Sequence, residues 1–367
     1  MFDRIYLDRE AADYPAARAI LARLPNVPVS VVDGPDEAFH RVENAPDPVS
    51  EGKKILCLAV NRGRFVRPCP GTRNYHCCGY RIIHIGAFCT MDCAYCILQA
   101  YFHPAVLTFF VNHDELFSQL DRVLTEKDPE ARRMGTGEFT DSLIWEGLTD
   151  LNQRLVARFG EQDFAILELK SKSVNIGGLL DLPHNRKTVI AFSVNTRAVM
   201  RENERGTSSL EARLKAASRC EKAGYPLAFH FDPMVIYPGC GAEYKEVVRE
   251  IFRRVSPENV VYISLGAFRF MPELKNIIKK RFPASKIPFG EFITGLDNKM
   301  RYFKPLRMAL FSEVAEELRK TAPQVTGYFC MEDDAVWRAA FGFTPDERGG
   351  LPAMLDDAAK RVCGIVG

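Results

Sequence analysis

Cys89-Thr90-Met91-Asp92-Cys93-Ala94-Tyr95-Cys96 is the stretch whose reading decides the fold. Three thiols fall within eight residues at the spacing C-x3-C-x2-C. The run before them, Arg81-Ile82-Ile83-His84-Ile85-Gly86-Ala87, reads as a strand, and Ile97 to Tyr101 after them has helical character. The thiols therefore sit on a loop at the carboxyl end of a strand, where barrel enzymes keep their chemistry. Thiolates are soft ligands suited to iron–sulfur clusters, zinc or copper(I). A closed zinc site or an electron-transfer cubane takes four protein ligands, commonly as two C-x2-C pairs. Here one tight trio stands without a second pair at that spacing. Three thiolates on a four-iron cluster leave one iron open to a small molecule; the bland reading is a structural zinc site or buried, inert thiols.

Length and composition bound the rest. A chain of 367 residues can bury a large core as one large domain or two smaller ones. Hydrophobic content of 47% and charged content of 26% are ordinary for a soluble globular protein. A net charge of +2 gives no global basic field to imply nucleic acid, a local patch aside. The opening MFDRIYLDREAADYP carries acids and no apolar core, so it does not read as a secretory signal. No apolar run approaches the roughly 18 residues of a membrane span. Eleven cysteines, an odd count, argue for reduced thiols and a cytoplasmic setting without a membrane partner.

Residues 1–80 read as an N-terminal α/β layer. Arg4–Leu7, Val27–Val32 and Lys53–Val60 are strand candidates, alanine-rich 10–23 is helical, and Glu43–Gly52, with two prolines, is the best internal linker. The layer ends in a strap, residues 61–80, where Arg62, Arg64, Arg67 and Arg73 cluster with aromatics and with Cys69, Cys77 and Cys78. The strap is either a solvated loop or a cover over the active site that holds a phosphate or carboxylate. A second metal site from its three cysteines is a weaker option. From 81 onward strands and helices alternate, which argues for parallel βα units. The further strands are Arg133–Glu138, Phe164–Leu169 running into Ser173, Val189–Asn195, Pro226–Pro233 and Val260–Leu265. Asp114 is expected to cap a helix to Glu126, and Asp141 or Ser142 another to Phe159. Helices Leu210–Ala223, closed by Gly224, and Tyr244–Val255 follow. Six such units are too few for a closed eightfold barrel. The expected architecture is α/β: an open, partial (β/α)6 barrel over 81–285, then a C-terminal unit over 286–367 with a hairpin at 287–304 and a closing helix at 305–320.

With these pieces in order, the run from about 53 to 305 resembles the spore photoproduct lyase family, a branch of the radical S-adenosylmethionine (SAM) superfamily. The resemblance is carried by Cys69-Pro70-Gly71-Thr72 with Tyr75, by Cys89, Cys93, Tyr95, Cys96 and Leu98-Gln99, and by Lys172. Leu179-Leu180-Asp181, His184-Asn185, Phe192-Ser193-Val194-Asn195 and Glu204-Arg205-Gly206-Thr207 continue it. Ala223-Gly224-Tyr225-Pro226, Asp232-Pro233 and Arg301-Tyr302 complete it. The resemblance implies a 4Fe-4S cluster on the three cysteines that cleaves SAM to a 5′-deoxyadenosyl radical. It also implies a low-potential electron donor such as flavodoxin or ferredoxin, and damaged DNA as a candidate substrate, since the founding activity reverses a thymine–thymine photoproduct. In these terms Lys172 faces the SAM carboxylate, Gly137 lets backbone approach the methionyl group, Thr140 bonds the cofactor, and Ser193 and Asn195 suit the ribose. Arg301, Tyr302, His230 and Asp232 are substrate candidates, and Tyr95 holds the family's aromatic position.

Two departures qualify the resemblance. In the lyase a cysteine after the second barrel strand returns a hydrogen atom to the substrate radical. The stretch Gly135–Leu143 has none, and Glu138 aligns there. The lyase also carries a tyrosine directly after the third cluster cysteine, where this chain has Ile97. Either another thiol serves, with Cys77, Cys78 and Cys240 as candidates, or the reaction ends differently. The alternative class is a non-catalytic zinc–thiolate protein that binds nucleic acid through the 61–81 basic loop.

Overall fold

The computed structural model describes residues 2–71 and 74–366, so Thr72 and Arg73 of the strap lie outside the described residues. Two sheets organise the chain. In the first, strands run in the order Val29–Val32, Arg4–Asp8, Ile55–Ala59, Leu107–Phe110, Gly86–Ala87. The first four are parallel and the last is antiparallel. Ile-Leu-Cys-Leu-Ala at 55–59 is buried at every position, as a central parallel strand covered on both faces requires. This is the N-terminal layer, but it recruits two strands from beyond residue 80.

The second sheet curls into an open half-barrel. Its order is Thr326–Phe329, Val260–Ala267, Leu227–Met234, Thr188–Ser193, Ile166–Ser171, Arg133–Gly135, Arg81–Ile83, Val66–Pro68. The first seven are parallel. Val66–Pro68 runs antiparallel at the edge, where a proline costs no ladder bond. The six barrel strands expected from sequence are all present. A seventh, Thr326–Phe329, extends the sheet; four residues between Pro323 and Cys330 give little periodicity to read.

Three local expectations are corrected. Glu43–Gly52 is no linker: Pro48–Lys54 is a helix, with proline in its first turn and the Asp47 carboxylate accepting from Ser50 N at 3.2 Å. The helix His113–Glu126 begins one residue before Asp114, after an Asn112 that makes no side-chain cap. The next helix starts at Leu151, not at 141–142. Asp141 is committed elsewhere, accepting from Leu143 N at 3.0 Å, Ser171 Oγ at 2.7 Å and Lys172 N at 2.8 Å. It pins the following loop to strand Ile166–Ser171. The C-terminal hairpin, Phe292–Thr294 with Met300–Tyr302, takes Arg269–Phe270 as a third strand, and helix Lys304–Thr321 follows it.

Candidate functional site

The loop carrying the three thiols is built almost entirely from backbone held by side chains. Asp92–Cys93 pairs antiparallel with Glu204–Arg205. Gln99 Nε2 donates to the carbonyls of Cys93, Ala94 and Cys96 at 3.0, 3.1 and 3.3 Å. Lys53, on the helix that leads into the N-terminal layer, donates to the Cys89 carbonyl at 3.1 Å and to that of Met91. Its ammonium lies 3.5 Å from the Asp92 carboxylate and 4.5 Å from the Phe88 ring centre. Arg281 joins Asp92 at 2.9 Å, Asp47 at 3.1 Å, Ser50 at 3.0 Å and the Gln99 carbonyl oxygen. Phe88 enters the loop at φ +71°, a left-handed conformation that a non-glycine residue adopts only when its surroundings impose it.

Cys89, Cys93 and Cys96 all line a cavity of about 360 Å³, a size that suits a small-molecule ligand. Burial pushes the Cys89 thiol up to about 12, with the Asp141 carboxyl adding to it, and burial pushes Cys93 up as well. A metal taking these thiols must therefore displace their protons. Among the described residues no three His, Cys, Asp or Glu are gathered as tightly as a single ion requires. A four-iron cluster, being several atoms across, takes its thiolates further apart. Tyr95 also lines the cavity, with its hydroxyl donating to the Glu204 carboxylate, which Arg213 meets at 2.5 Å in a fully buried pair.

The strand ends supply the rest of the wall. Gly137 lines the cavity at a position where a Cβ would stand 2.9 Å from Lys170 Cβ and 3.0 Å from its carbonyl oxygen, so no larger residue fits. Thr140 Oγ1 accepts the Trp145 indole N–H at 3.2 Å. Lys172 Nζ sits 5.7 Å from the Tyr95 ring centre. Ser193 lines the cavity while its carbonyl accepts from Arg213 at 2.7 Å. Glu138 faces the cavity 3.6 Å from Lys170 Nζ, and Asp232 faces it 3.1 Å from Arg269.

His230 lines the cavity too, with Nδ1 2.7 Å from Ser264 Oγ. Its Nε2 lies 3.4 Å from Glu168, an ion-pair distance without hydrogen-bond geometry. Burial alone raises a carboxyl; at Glu168 the His230 and Lys170 charges and the Tyr262 hydroxyl outweigh it and hold the group down at about 2.

Other candidates stand apart from the cavity. Asn195 is spent on packing: Oδ1 accepts from Tyr244 Oη at 2.7 Å and Thr196 N at 3.0 Å, and Nδ2 donates to the Pro233 carbonyl at 2.7 Å. Arg301 and Tyr302 are each 2% exposed. Arg301 pairs with Asp297 at 2.7 Å, packs 4.2 Å from the Tyr75 ring centre and donates to the Met331 carbonyl at 3.0 Å. Tyr302 stacks on Phe292 and accepts from Ile236 N at 3.3 Å. Cys77 is exposed, Cys78 and Cys240 are buried, and none of them lines the cavity. Among the described residues the cluster trio supplies its only lining thiols. Sequence reasoning passed over Lys170, Glu168 and Arg269; the available signal was charge inside an apolar strand, Leu167-Glu168-Leu169-Lys170, since charged side chains are rarely buried without a partner.

A family model described as spore photoproduct lyase matches residues 1–322. The spore photoproduct lyase of Clostridium acetobutylicum is 26% identical over 315 residues, covering 83% of this chain and 87% of its own length. That of Bacillus subtilis is 27% identical over 300 residues, covering 78% and 84%. Among solved structures, a double mutant of spore photoproduct lyase with bound AdoMet and dinucleoside spore photoproduct superposes with a TM-score of 0.79 at 24% identity. The match covers 90% of this chain and 99% of that one.

Proposed function

The chain belongs to the spore photoproduct lyase family of radical SAM enzymes, and from that premise we propose that it binds a 4Fe-4S cluster and SAM for a radical reaction on a damaged-DNA substrate. The observation that carries the proposal is the meeting of Cys89, Cys93 and Cys96 with Gly137, Lys172 and Ser193 around one cavity. The three thiolates would hold the cluster, which when bound supplies the electron that splits SAM into methionine and a 5′-deoxyadenosyl radical. The electron would come from a low-potential carrier such as flavodoxin or ferredoxin.

The chain's own residues then have defined tasks. Lys172 offers a cation to the SAM carboxylate, at a strand end whose backbone Asp141 fixes. Gly137 leaves the backbone bare where the methionyl group lies, and Trp145 fixes the Thr140 hydroxyl beside it. Ser193 takes the ribose alone, because Asn195 is committed to packing. Lys53, Gln99 and Arg281 hold the thiol loop rigid, which keeps its ligands spaced for the cluster. The pairs Glu138–Lys170 and Asp232–Arg269, with His230, face the substrate. The family consists of enzymes, so the reading as a non-catalytic zinc–thiolate binder is set aside.

Hydrogen return is where this chain is proposed to differ from the lyase. A thiol S–H is weak enough to give its hydrogen to a carbon radical and a carboxyl O–H is not, so Glu138 cannot replace the lyase's cysteine. Two experiments test the reading. Anaerobically reconstituted protein with dithionite and SAM should release 5′-deoxyadenosine, and Cys89→Ala, Cys93→Ala or Cys96→Ala should each abolish both its brown colour and that release. With dinucleoside spore photoproduct added, the unmodified chain should give little clean repair and Glu138→Cys should restore some. Phe139→Cys and Thr140→Cys cover a register slip of one or two residues. Efficient clean repair by the unmodified chain would overturn the Glu138 argument, and absence of 5′-deoxyadenosine would overturn the whole proposal.

A further inference from the structure

A second cavity, of about 460 Å³, opens at the far end of the half-barrel from the thiols. Thr326 and Gly327, which begin the seventh parallel strand, line it, whereas Met331, just past that strand's end, lines the radical cavity. Leu318, Arg319 and Ala322 apart, its lining comes from beyond residue 322, where the match to the family model ends. Met354, Asp357 and Arg361 reach it from helix Leu351–Cys363, at a spacing of three and four that puts them on one face. Three arginines meet at this cavity. Arg319 donates to the Ala340 carbonyl at 2.6 Å, Arg361 donates to Thr326 Oγ1 at 3.3 Å, and the Arg348 guanidinium lies 3.4 Å from the Phe343 ring centre. Each is placed by a neutral partner. The carboxylates close to them in sequence go to other cations: Glu316 to Lys320 at 2.5 Å, Glu347 to Arg338, and Asp357 to Lys360 at 3.6 Å.

We infer that this cavity is a binding site for a nucleoside phosphate, separate from the site proposed for SAM. Its lining sets the guanidiniums of Arg319, Arg348 and Arg361 against the single carboxylate of Asp357, leaving an excess of positive charge. A phosphate monoester brings about −1.5 to −2 at pH 7 and so matches that excess; a carboxylate brings only one charge. The planar arginine fork also meets phosphate oxygens two at a time. The rest of the wall is apolar: Leu318, Val325, Phe341, Phe343 and Met354. The Phe341 and Phe343 rings lie 5.9 Å apart, a surface on which a flat base can stack. The volume falls in the range of small-molecule sites. A free nucleotide and the phosphorylated end of a DNA strand present this same chemistry.

The three arginines come from three elements: helix Lys304–Thr321, the turn Pro345–Arg348 and helix Leu351–Cys363. A phosphate bridging them ties the last helix to the one that follows the hairpin, so binding should raise the chain's thermal midpoint. All three are exposed, so a ligand reaches them from solvent and salt should weaken its hold. No bond is made or broken. Chemistry in barrel enzymes sits at the carboxyl ends of the strands, and this cavity lies at the opposite end.

The test needs no turnover. The full chain is titrated by calorimetry with guanosine monophosphate and with adenosine monophosphate, in excess SAM so that the radical cavity offers no alternative. Both nucleotides should bind, and guanosine without its phosphate should bind about tenfold more weakly or worse. Arg348→Glu and Arg361→Glu should each weaken nucleotide binding by about tenfold or more, with Arg361→Lys between them and the parent. The chain carrying Cys89→Ala, Cys93→Ala and Cys96→Ala together should bind as the parent does, which keeps the outcome independent of the radical chemistry. A 5′-phosphorylated oligonucleotide that binds as tightly as the mononucleotides identifies a strand end as the source; binding of the mononucleotides alone identifies a free ligand. Should the glutamate variants fail to fold by circular dichroism, the unaltered chain decides, through a rise in its thermal midpoint with guanosine monophosphate that added salt reverses. Absence of both heat and midpoint shift with either nucleotide at millimolar concentration, or an affinity that neither glutamate variant changes, would overturn the inference.

Discussion

Lys172 and Glu168 lie on or just beyond one strand and show two ways a charge serves a cavity. Lys172 is partly exposed and lines the cavity, with the Tyr95 face as its nearest described ring. Lys172→Ala should weaken SAM binding by roughly 1.5–3 kcal/mol, the range for hydrogen bonds to charged groups, while leaving the cluster's spectrum intact. Equilibrium binding to the reconstituted protein measures it, and unchanged affinity would make the residue structural. Glu168 is buried and held at about 2 against an ordinary 4.5. A depressed carboxyl stabilises the fold above its unfolded value and loses that contribution as pH falls toward the folded one. Roughly 3 kcal/mol should therefore disappear between about pH 5 and pH 2. Denaturant unfolding across that range should show the slope, and Glu168→Gln should flatten it. The meeting of the trio at one cavity was legible because its spacing keeps the three thiols on one short loop. The packing of Asn195 against Tyr244 was not legible, because a polar side chain at a strand end looks the same in sequence whether it faces a cavity or packs.

At the scale of elements, sequence periodicity found the barrel strands but not what the hairpin does with its polar residues. Arg301 and Tyr302 looked like a hand held out to substrate; burial turns them inward, where Arg301 and Asp297 keep only 2% and 4% of their side chains exposed. Removing one partner of such a pair leaves the other buried and uncompensated. Arg301→Ala should therefore cost about 3–5 kcal/mol of stability, read as a lowered denaturation midpoint. A variant as stable as the parent but weak only in substrate binding would restore the substrate role. The helix Pro48–Lys54 was hidden for a related reason: two prolines suggest a linker, yet one of them sits in a first turn where it fits. The strand Thr326–Phe329 was missed through brevity.

For the whole molecule, the half-barrel supplies the cavity and the N-terminal layer supplies half of the grip on the thiol loop. Lys53 reaches it from the layer, and Arg281 reaches it from a helix near the end of the barrel. Arg281→Leu should lower iron occupancy after anaerobic reconstitution while the far-ultraviolet dichroism stays near that of the parent; equal occupancy would show that Lys53 and Gln99 suffice. The Arg281 contact also sets a clock on biosynthesis. Asp92 and Arg281 are 189 positions apart, and a ribosome adding about 5–20 residues per second needs roughly 10–40 s to pass from one to the other. Throughout that interval the nascent loop lacks its outer clasp. A cluster held by the proposed trio would meet the fully clasped loop only once Arg281 has been made.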